Sequence, residues 1–157
     1  MGEETFKVEV ADPRGAEATE LIRLLSSELA RRYDYMEDGS GGFEPEDALG
    51  PTGAFVIGRV GGDPIACGAI RPLEEGVAEL KRVFVKVGFR GRGYSKAIVN
   101  DLERQARARG YRVMRLETGV RQPEAISLYE RLGYHRIPNY GEYRDSGLSV
   151  CFEKRLT

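Results

Sequence analysis

Polar and apolar residues alternate across residues 5–10, where Phe6, Val8 and Val10 stand between Thr5, Lys7 and Glu9, the period of a half-buried strand. The period then lengthens. Ala18, Leu21, Ile22, Leu25 and Leu29 recur at helical spacing as far as Arg32, which predicts a helix with one apolar stripe for packing on a sheet. Asp12-Pro13 ahead of it predicts a cap with proline at the first helical position. Residues 37–50 read EDGSGGFEPEDALG, a Gly-rich acidic run that predicts a loop with a helical turn after Glu44, either a plain solvated loop or a lid.

Three β-prone runs follow at 53–60, 64–73 and 77–87, parted by Gly61-Gly62-Asp63 and Glu74-Glu75-Gly76, and they predict an antiparallel meander. Ile98, Val99, Leu102 and Ala106 then share one helical face, and Gly110 supplies a left-handed stop. Residues 111–118 return to strand character. Pro123 opens another helix, with Ala125, Leu128, Tyr129 and Leu132 on its apolar face and Gly133 at its end. Short strands at 134–137 and 149–155 close the order β-α-β-β-β-α-β-α-β-β, which predicts an α/β fold of the α+β type.

At 157 residues one core is the economical expectation, a single domain over residues 1–157. The chain carries 24 Lys and Arg against 25 Asp and Glu, a net charge of -1, so no overall cationic field draws nucleic acid or anionic lipid, and any anion site is local. Residues 1–10 hold acidic residues and read as a strand rather than a signal peptide. No apolar stretch approaches the ~20 residues that span a bilayer. Cys67 and Cys151 lie in strand-like runs without metal spacing, as buried small hydrophobes do. The expected compartment is the cytoplasm, with no metal, no nucleic acid and no membrane among the partners.

The chemistry concentrates in residues 78–110, AELKRVFVKVGFRGRGYSKAIVNDLERQARARG, where a strand runs into a glycine turn and a helix. The first N–H groups of a helix lack intrahelical partners and lie at the positive end of its dipole, so a phosphate there satisfies several donors. Gly91 and Gly93 let backbone approach the ligand, and Lys86, Arg90, Arg92 and Lys96 add local positive charge. A dinucleotide fingerprint would need glycine at Lys96, and a Walker A loop would need Lys where Tyr94 follows Gly93. Both readings fail.

The segment Arg90-Gly91-Arg92-Gly93-Tyr94-Ser95 resembles the R/Q-x-x-G-x-G/A acyl-coenzyme A motif of the GNAT superfamily of N-acetyltransferases. Residues 124–134, EAISLYERLGY, resemble the family's late helix with its tyrosine and closing Gly-aromatic pair. Ser95 stands where the family usually has Gly or Ala, and Gln122 where many members carry an asparagine that contacts the pantetheine arm. The resemblance implies a single mixed, mostly antiparallel twisted sheet of about seven strands with helices on both faces. It also implies acetyl-CoA as cosubstrate and direct transfer of the acetyl group to a primary amine. Val83, Phe84 and Val85 would bind pantetheine and the thioester oxygen through backbone N–H groups near a strand bulge. Arg90, Gly91, Arg92, Gly93, Tyr94, Ser95 and Gln122 would complete the cofactor site. Glu79 matches the carboxylate that removes the amine proton, directly or through water; the other reading pairs it with Lys81 or Arg82. Tyr129 matches the tyrosine that protonates the thiolate; the other reading makes it a core aromatic.

In this family the acceptor pocket draws on the first helix, the loop after it and the final hairpin, which here hold Tyr33, Tyr35, Tyr140 and Tyr143. Arg71 and Arg82 could add a carboxylate clamp, pointing to a small amine or amino-acid-like acceptor, or they could be surface pairs. His135, the one histidine, follows a helix stop and reads as structural. A non-catalytic acyl-CoA-binding or regulatory module of the same fold is the alternative to an enzyme. A homodimer is one open assembly state.

Overall fold

The computed structural model describes residues 5–33 and 43–157, with Arg32 and Tyr33 described in their backbone only. Strand β1 (Phe6–Val10) leads to helix α1 (Ala16–Tyr33). The helix starts later than Asp12-Pro13 predicts. The Asp12 carboxylate accepts a 2.8 Å bond from the Arg14 N–H and its carbonyl one from Gly15 at 3.0 Å. This turn consumes the local donors, so the first helical carbonyl is that of Gly15, which Thr19 reaches at 2.9 Å. Ala18, Leu21 and Leu25 bury the apolar stripe as expected.

A 3-10 turn at Pro45–Ala48 precedes the meander β2 (Ala54–Val60), β3 (Asp63–Glu74) and β4 (Val77–Val85). Glu44 and Asp47 cap that turn reciprocally. Helix α2 (Tyr94–Ala108), β5 (Val113–Gly119), α3 (Pro123–Arg131), β6 (His135–Ile137) and β7 (Ser149–Arg155) follow. The seven strands form one sheet in the order β1-β2-β3-β4-β5-β7-β6. Every neighbouring pair is antiparallel except β4 and β5, because α2 carries the chain back over one face between them.

Two cores sandwich the sheet. Ile98, Val99, Leu102 and Ala106 of α2 meet Ala78, Leu80, Met114, Leu116 and Phe152 on one face. Leu21 and Leu25 of α1 meet Phe55, Ile57, Cys67, Ala69 and Phe84 on the other. Gly68 sets how closely α2 lies on β3, since a Cβ there would come within 2.7 Å of Ile98 and of Leu102. Among the described residues no helix is long and apolar enough to cross a membrane.

Two irregularities of β4 shape what lies at its end. β4 pairs with β5 only from Val77 with Val113 to Leu80 with Leu116, although β4 runs on to Val85 and β5 to Gly119. Beyond Leu80 the two strands part. On its other side β4 shifts register against β3 between Cys67 and Ala69, and Arg82 there takes φ 61°, the only described non-glycine residue with positive φ. A left-handed residue in a bulge bends the strand, and residues 83–85 beyond this one have no partner in β5.

Candidate active site

A cleft of about 510 Å³ opens at the end of β4, beyond the point where it parts from β5. Its floor is Val83, Phe84 and Val85, one wall is Gln122, Ala125, Leu128, Tyr129 and Leu132 from α3 and its entry, and the mouth is Phe89, Arg90, Gly91, Gly93, Tyr94, Ser95 and Lys96. Nearly all the residues expected to hold a cofactor therefore converge. Arg92 is the exception: it is exposed and its guanidinium lies 5.7 Å from the Phe89 ring centre, off the cleft walls. Leu25 and Glu28 of α1 also line it. Leu25 belongs to the helical stripe that signalled burial against the sheet, Glu28 was not singled out in the sequence, and neither carried a sign of this role.

The turn into α2 is built on backbone conformation. Gly93 is the N-cap residue at φ 81° and ψ 11°, and Gly91 has φ 79°. A Cβ on either would point into open space, so glycine is required here by the left-handed backbone and not by crowding. The Ala97 N–H is the first to close on the helix, reaching the Gly93 carbonyl at 3.1 Å, which leaves the N–H groups ahead of it facing the mouth. Lys96 and Arg90 stand beside them. Arg90 donates to the Val85 carbonyl at 2.8 Å and pairs with Glu28 at 2.7 Å, tying the turn to the end of β4 and to α1. Glycine conformation, helix start, open space and adjacent cations together fit a diphosphate.

Tyr129 is 7% exposed, lies in the cleft wall and meets the Tyr134 ring edge-on at 5.7 Å. Burial, then the negative charge of Glu117, push its phenol above the ordinary value, so it stays a proton donor at neutral pH.

On the α1 face of the parted strands lies a second, polar region. Glu79 is 1% exposed. Its Oε1 accepts from Arg71 at 2.9 Å, its Oε2 from the Tyr140 hydroxyl at 2.6 Å, and it is not among the cleft-lining residues. Arg71 also binds Asp47 at 2.9 Å. The pairing of Glu79 with Lys81 or Arg82 considered from sequence gives way to one with Arg71, which stands opposite it in the β3–β4 register. Lys81 donates to the Tyr143 hydroxyl at 2.8 Å, and burial pulls its ammonium below the ordinary value. The Arg71 and Arg82 guanidinium carbons lie 5.8 and 4.9 Å from the Phe43 ring centre.

Glu117 was not anticipated. It follows Leu116, the last residue of β5 paired with β4, and accepts the Ser149 hydroxyl at 2.7 Å. Burial pushes its carboxyl above the ordinary value, opposed by the Ser149 bond and by Lys81. Asn139 was missed too: its Nδ2 donates to the carbonyls of Tyr143, Ser146 and Ser149 at 3.1, 3.3 and 3.1 Å. These bonds hold the loop that presents Tyr140 and Tyr143, whose rings meet at 5.5 Å and 90°. A lone Glu in a strand and a lone Asn in a loop carry no spacing signal.

Of the expected acceptor residues, Arg71, Arg82, Tyr140 and Tyr143 thus gather around Glu79 and Phe43. Tyr35 lies outside the described residues, as does the side chain of Tyr33. His135 is exposed, 3.9 Å from Glu153. Both cysteines are free and buried, and burial pushes the Cys67 thiol up to about 12, which makes it unreactive. Among the described residues no group of His, Cys, Asp and Glu could hold a metal ion.

The Acetyltransferase (GNAT) family model matches residues 18–134. The IAA acetyltransferase of Azospirillum brasilense is 36% identical over 107 residues, 68% of this chain and 70% of that protein. A crystal structure from Klebsiella pneumoniae, assigned as an acyl-CoA N-acyltransferase, superposes with a TM-score of 0.82 at 32% identity, covering 98% of this chain and 99% of that one. A GNAT family acetyltransferase from Elizabethkingia anophelis, crystallised with acetyl-CoA bound, shares the fold with a TM-score of 0.69 at 15% identity over 96% of this chain and 97% of that one.

Proposed function

The chain belongs to the Acetyltransferase (GNAT) family, and from that premise we propose that it transfers an acetyl group directly from acetyl-CoA to the primary amine of a small acceptor. The observation that carries this reading is the cleft itself: it joins an anion-receptive turn at Gly91 and Gly93 to a wall containing Tyr129. When bound, acetyl-CoA supplies an activated thioester. The turn into α2 would hold its diphosphate with main-chain N–H groups, Lys96 and Arg90. Residues 83–85 would lie along the pantetheine arm, with backbone N–H groups toward the oxygen that gains charge. Tyr129 would give its proton to the departing sulfur.

The acceptor would enter from the α1 face, where Tyr140, Tyr143, Arg71 and Lys81 offer rings, hydroxyls and positive charge. An amino-acid-like amine suits such a wall, and the name of the Azospirillum brasilense relative, IAA acetyltransferase, also points to a small molecule. The amine's proton would pass to a carboxylate on this face, where Glu79 and Glu117 stand. Calorimetric titration with acetyl-CoA, followed by thiol release over a panel of primary amines, tests the proposal. Binding together with turnover of at least one amine supports it. Binding without turnover favours an acyl-CoA-binding module, and no binding removes the reading altogether.

A further inference from the structure

We infer that Glu117, rather than Glu79, is the carboxylate that takes the proton from the acceptor amine, with Ser149 as its positioning residue. The inference rests on the acetyltransferase reading and deepens it. Three observations separate the two carboxylates.

The first is access. Glu79 is 1% exposed, whereas Glu117 is only partly buried and stands on the segment of β5 that has parted from β4, beside which, on the acetyltransferase reading, acceptor and thioester would meet. The second is occupancy. Glu79 spends one oxygen on Arg71 and the other on Tyr140, so both of its oxygens are already engaged. Glu117 Oε2 accepts the neutral Ser149 hydroxyl, which orients the group without neutralising it.

The third is connection to the proton donor. Glu117 is the charged group that acts on Tyr129 in the cleft wall, while Lys81, Glu79 and Glu142 act on Glu117 itself. Tyr143 and Cys151 also feel its charge. These groups, with Ser149, come from β4, α3, β7 and the loop before it. Glu117 thus acts electrostatically on Tyr129 in the cleft wall and on Tyr143 of the acceptor face. Glu79 holds Arg71 and Tyr140 in place and belongs to the acceptor wall.

The proton accounting closes. An ammonium nitrogen sheds two protons in becoming an amide. Glu117 takes the first, and the freed lone pair attacks the thioester carbonyl carbon. As the carbon–sulfur bond breaks, Tyr129 gives its proton to sulfur and is restored by the second nitrogen proton. Glu117 then releases its proton to solvent, the one proton the overall reaction liberates.

The test uses the amine from a panel of tyramine, phenethylamine, lysine and spermidine that the wild-type protein acetylates fastest, with kcat/KM followed against pH. Glu117→Gln is expected to bind acetyl-CoA as the wild type does while kcat falls roughly 100-fold or more and the acid limb disappears. Glu79→Gln should raise KM and keep the acid limb. Ser149→Ala removes a bond that lowers the Glu117 pKa, so its acid limb should move to higher pH, a change that a merely structural role would not produce. Glu117→Asp should recover part of the lost kcat. Wild-type turnover with an unchanged acid limb in both Glu117→Gln and Ser149→Ala overturns the inference and leaves the acetyltransferase reading standing. Absence of turnover by the wild-type protein with every amine overturns both. Should Glu117→Gln not fold, the shift in Ser149→Ala decides the matter alone.

Discussion

Arg90 and Glu28 form an ion pair of 2.7 Å across the mouth of the cleft, joining the turn before α2 to the first helix. Both side chains keep contact with solvent, at 37% and 19% exposure, and such pairs contribute only about 0–1 kcal/mol. The value of Arg90 to the protein lies in positioning and charge at the turn. Arg90→Ala should therefore weaken acetyl-CoA binding roughly tenfold, about 1.4 kcal/mol, while the melting temperature of the unliganded protein shifts little. Calorimetry paired with thermal melting measures both. A large loss of stability with unchanged affinity would reverse this assignment.

Tyr129→Phe keeps the ring and its edge-on contact with Tyr134 and removes only the hydroxyl. Turnover should fall roughly tenfold or more, with acetyl-CoA affinity nearly unchanged. The phenol lies above its ordinary value in the wild type, so any loss of rate from its ionisation should appear only at strongly alkaline pH. Steady-state kinetics on the two proteins would show it.

Substitution of Gly93 acts through the backbone. With φ 81° and no neighbour within 4 Å of a Cβ, Gly93→Ala should cost about 1–2 kcal/mol of stability from conformational strain alone. Gly93→Val should cost more, because a β-branched side chain tolerates the left-handed region less well, and it should also weaken acetyl-CoA binding. Denaturant unfolding of the three proteins gives the order directly.

Asn139→Ala deletes the amide that holds three carbonyls of the last loop. The expected result is an acceptor KM raised several-fold with acetyl-CoA affinity preserved, since Tyr140 and Tyr143 belong to the proposed acceptor wall and neither lines the cleft. Stability should drop by about 1–3 kcal/mol from the carbonyls left without their donor. Equal effects on both substrates would contradict this division of the site.

Glu117 predicts an exchange of stability for activity. Its folded pKa is raised, so the folded state binds a proton more tightly than the unfolded chain. The stabilisation from that proton is fully present below the unfolded value and is lost as pH rises through the folded one. Glu117→Gln stays uncharged throughout and should be more stable than the wild type at neutral pH, with the gap narrowing on acidification. Chemical denaturation at several pH values across the acid range tests the sign.

The sequence by itself determined the order of elements, the buried faces of α1, α2 and α3, and the glycine turn into α2. Each depends on local periodicity or on a backbone conformation that glycine adopts, and both are written in neighbouring residues. It misplaced the start of α1, because Asp12 and Gly15 compete for the same turn as Pro13. Only the tertiary structure decided which carboxylate pairs with a guanidinium and which with a hydroxyl. Arg71 meets Glu79 through strand register, Tyr140 reaches Glu79 from 61 residues away, and Glu117 reaches the parting of β4 and β5 because pairing ends at Leu116. Those outcomes depend on how distant strands align and where they separate, and no local pattern of residues encodes that alignment.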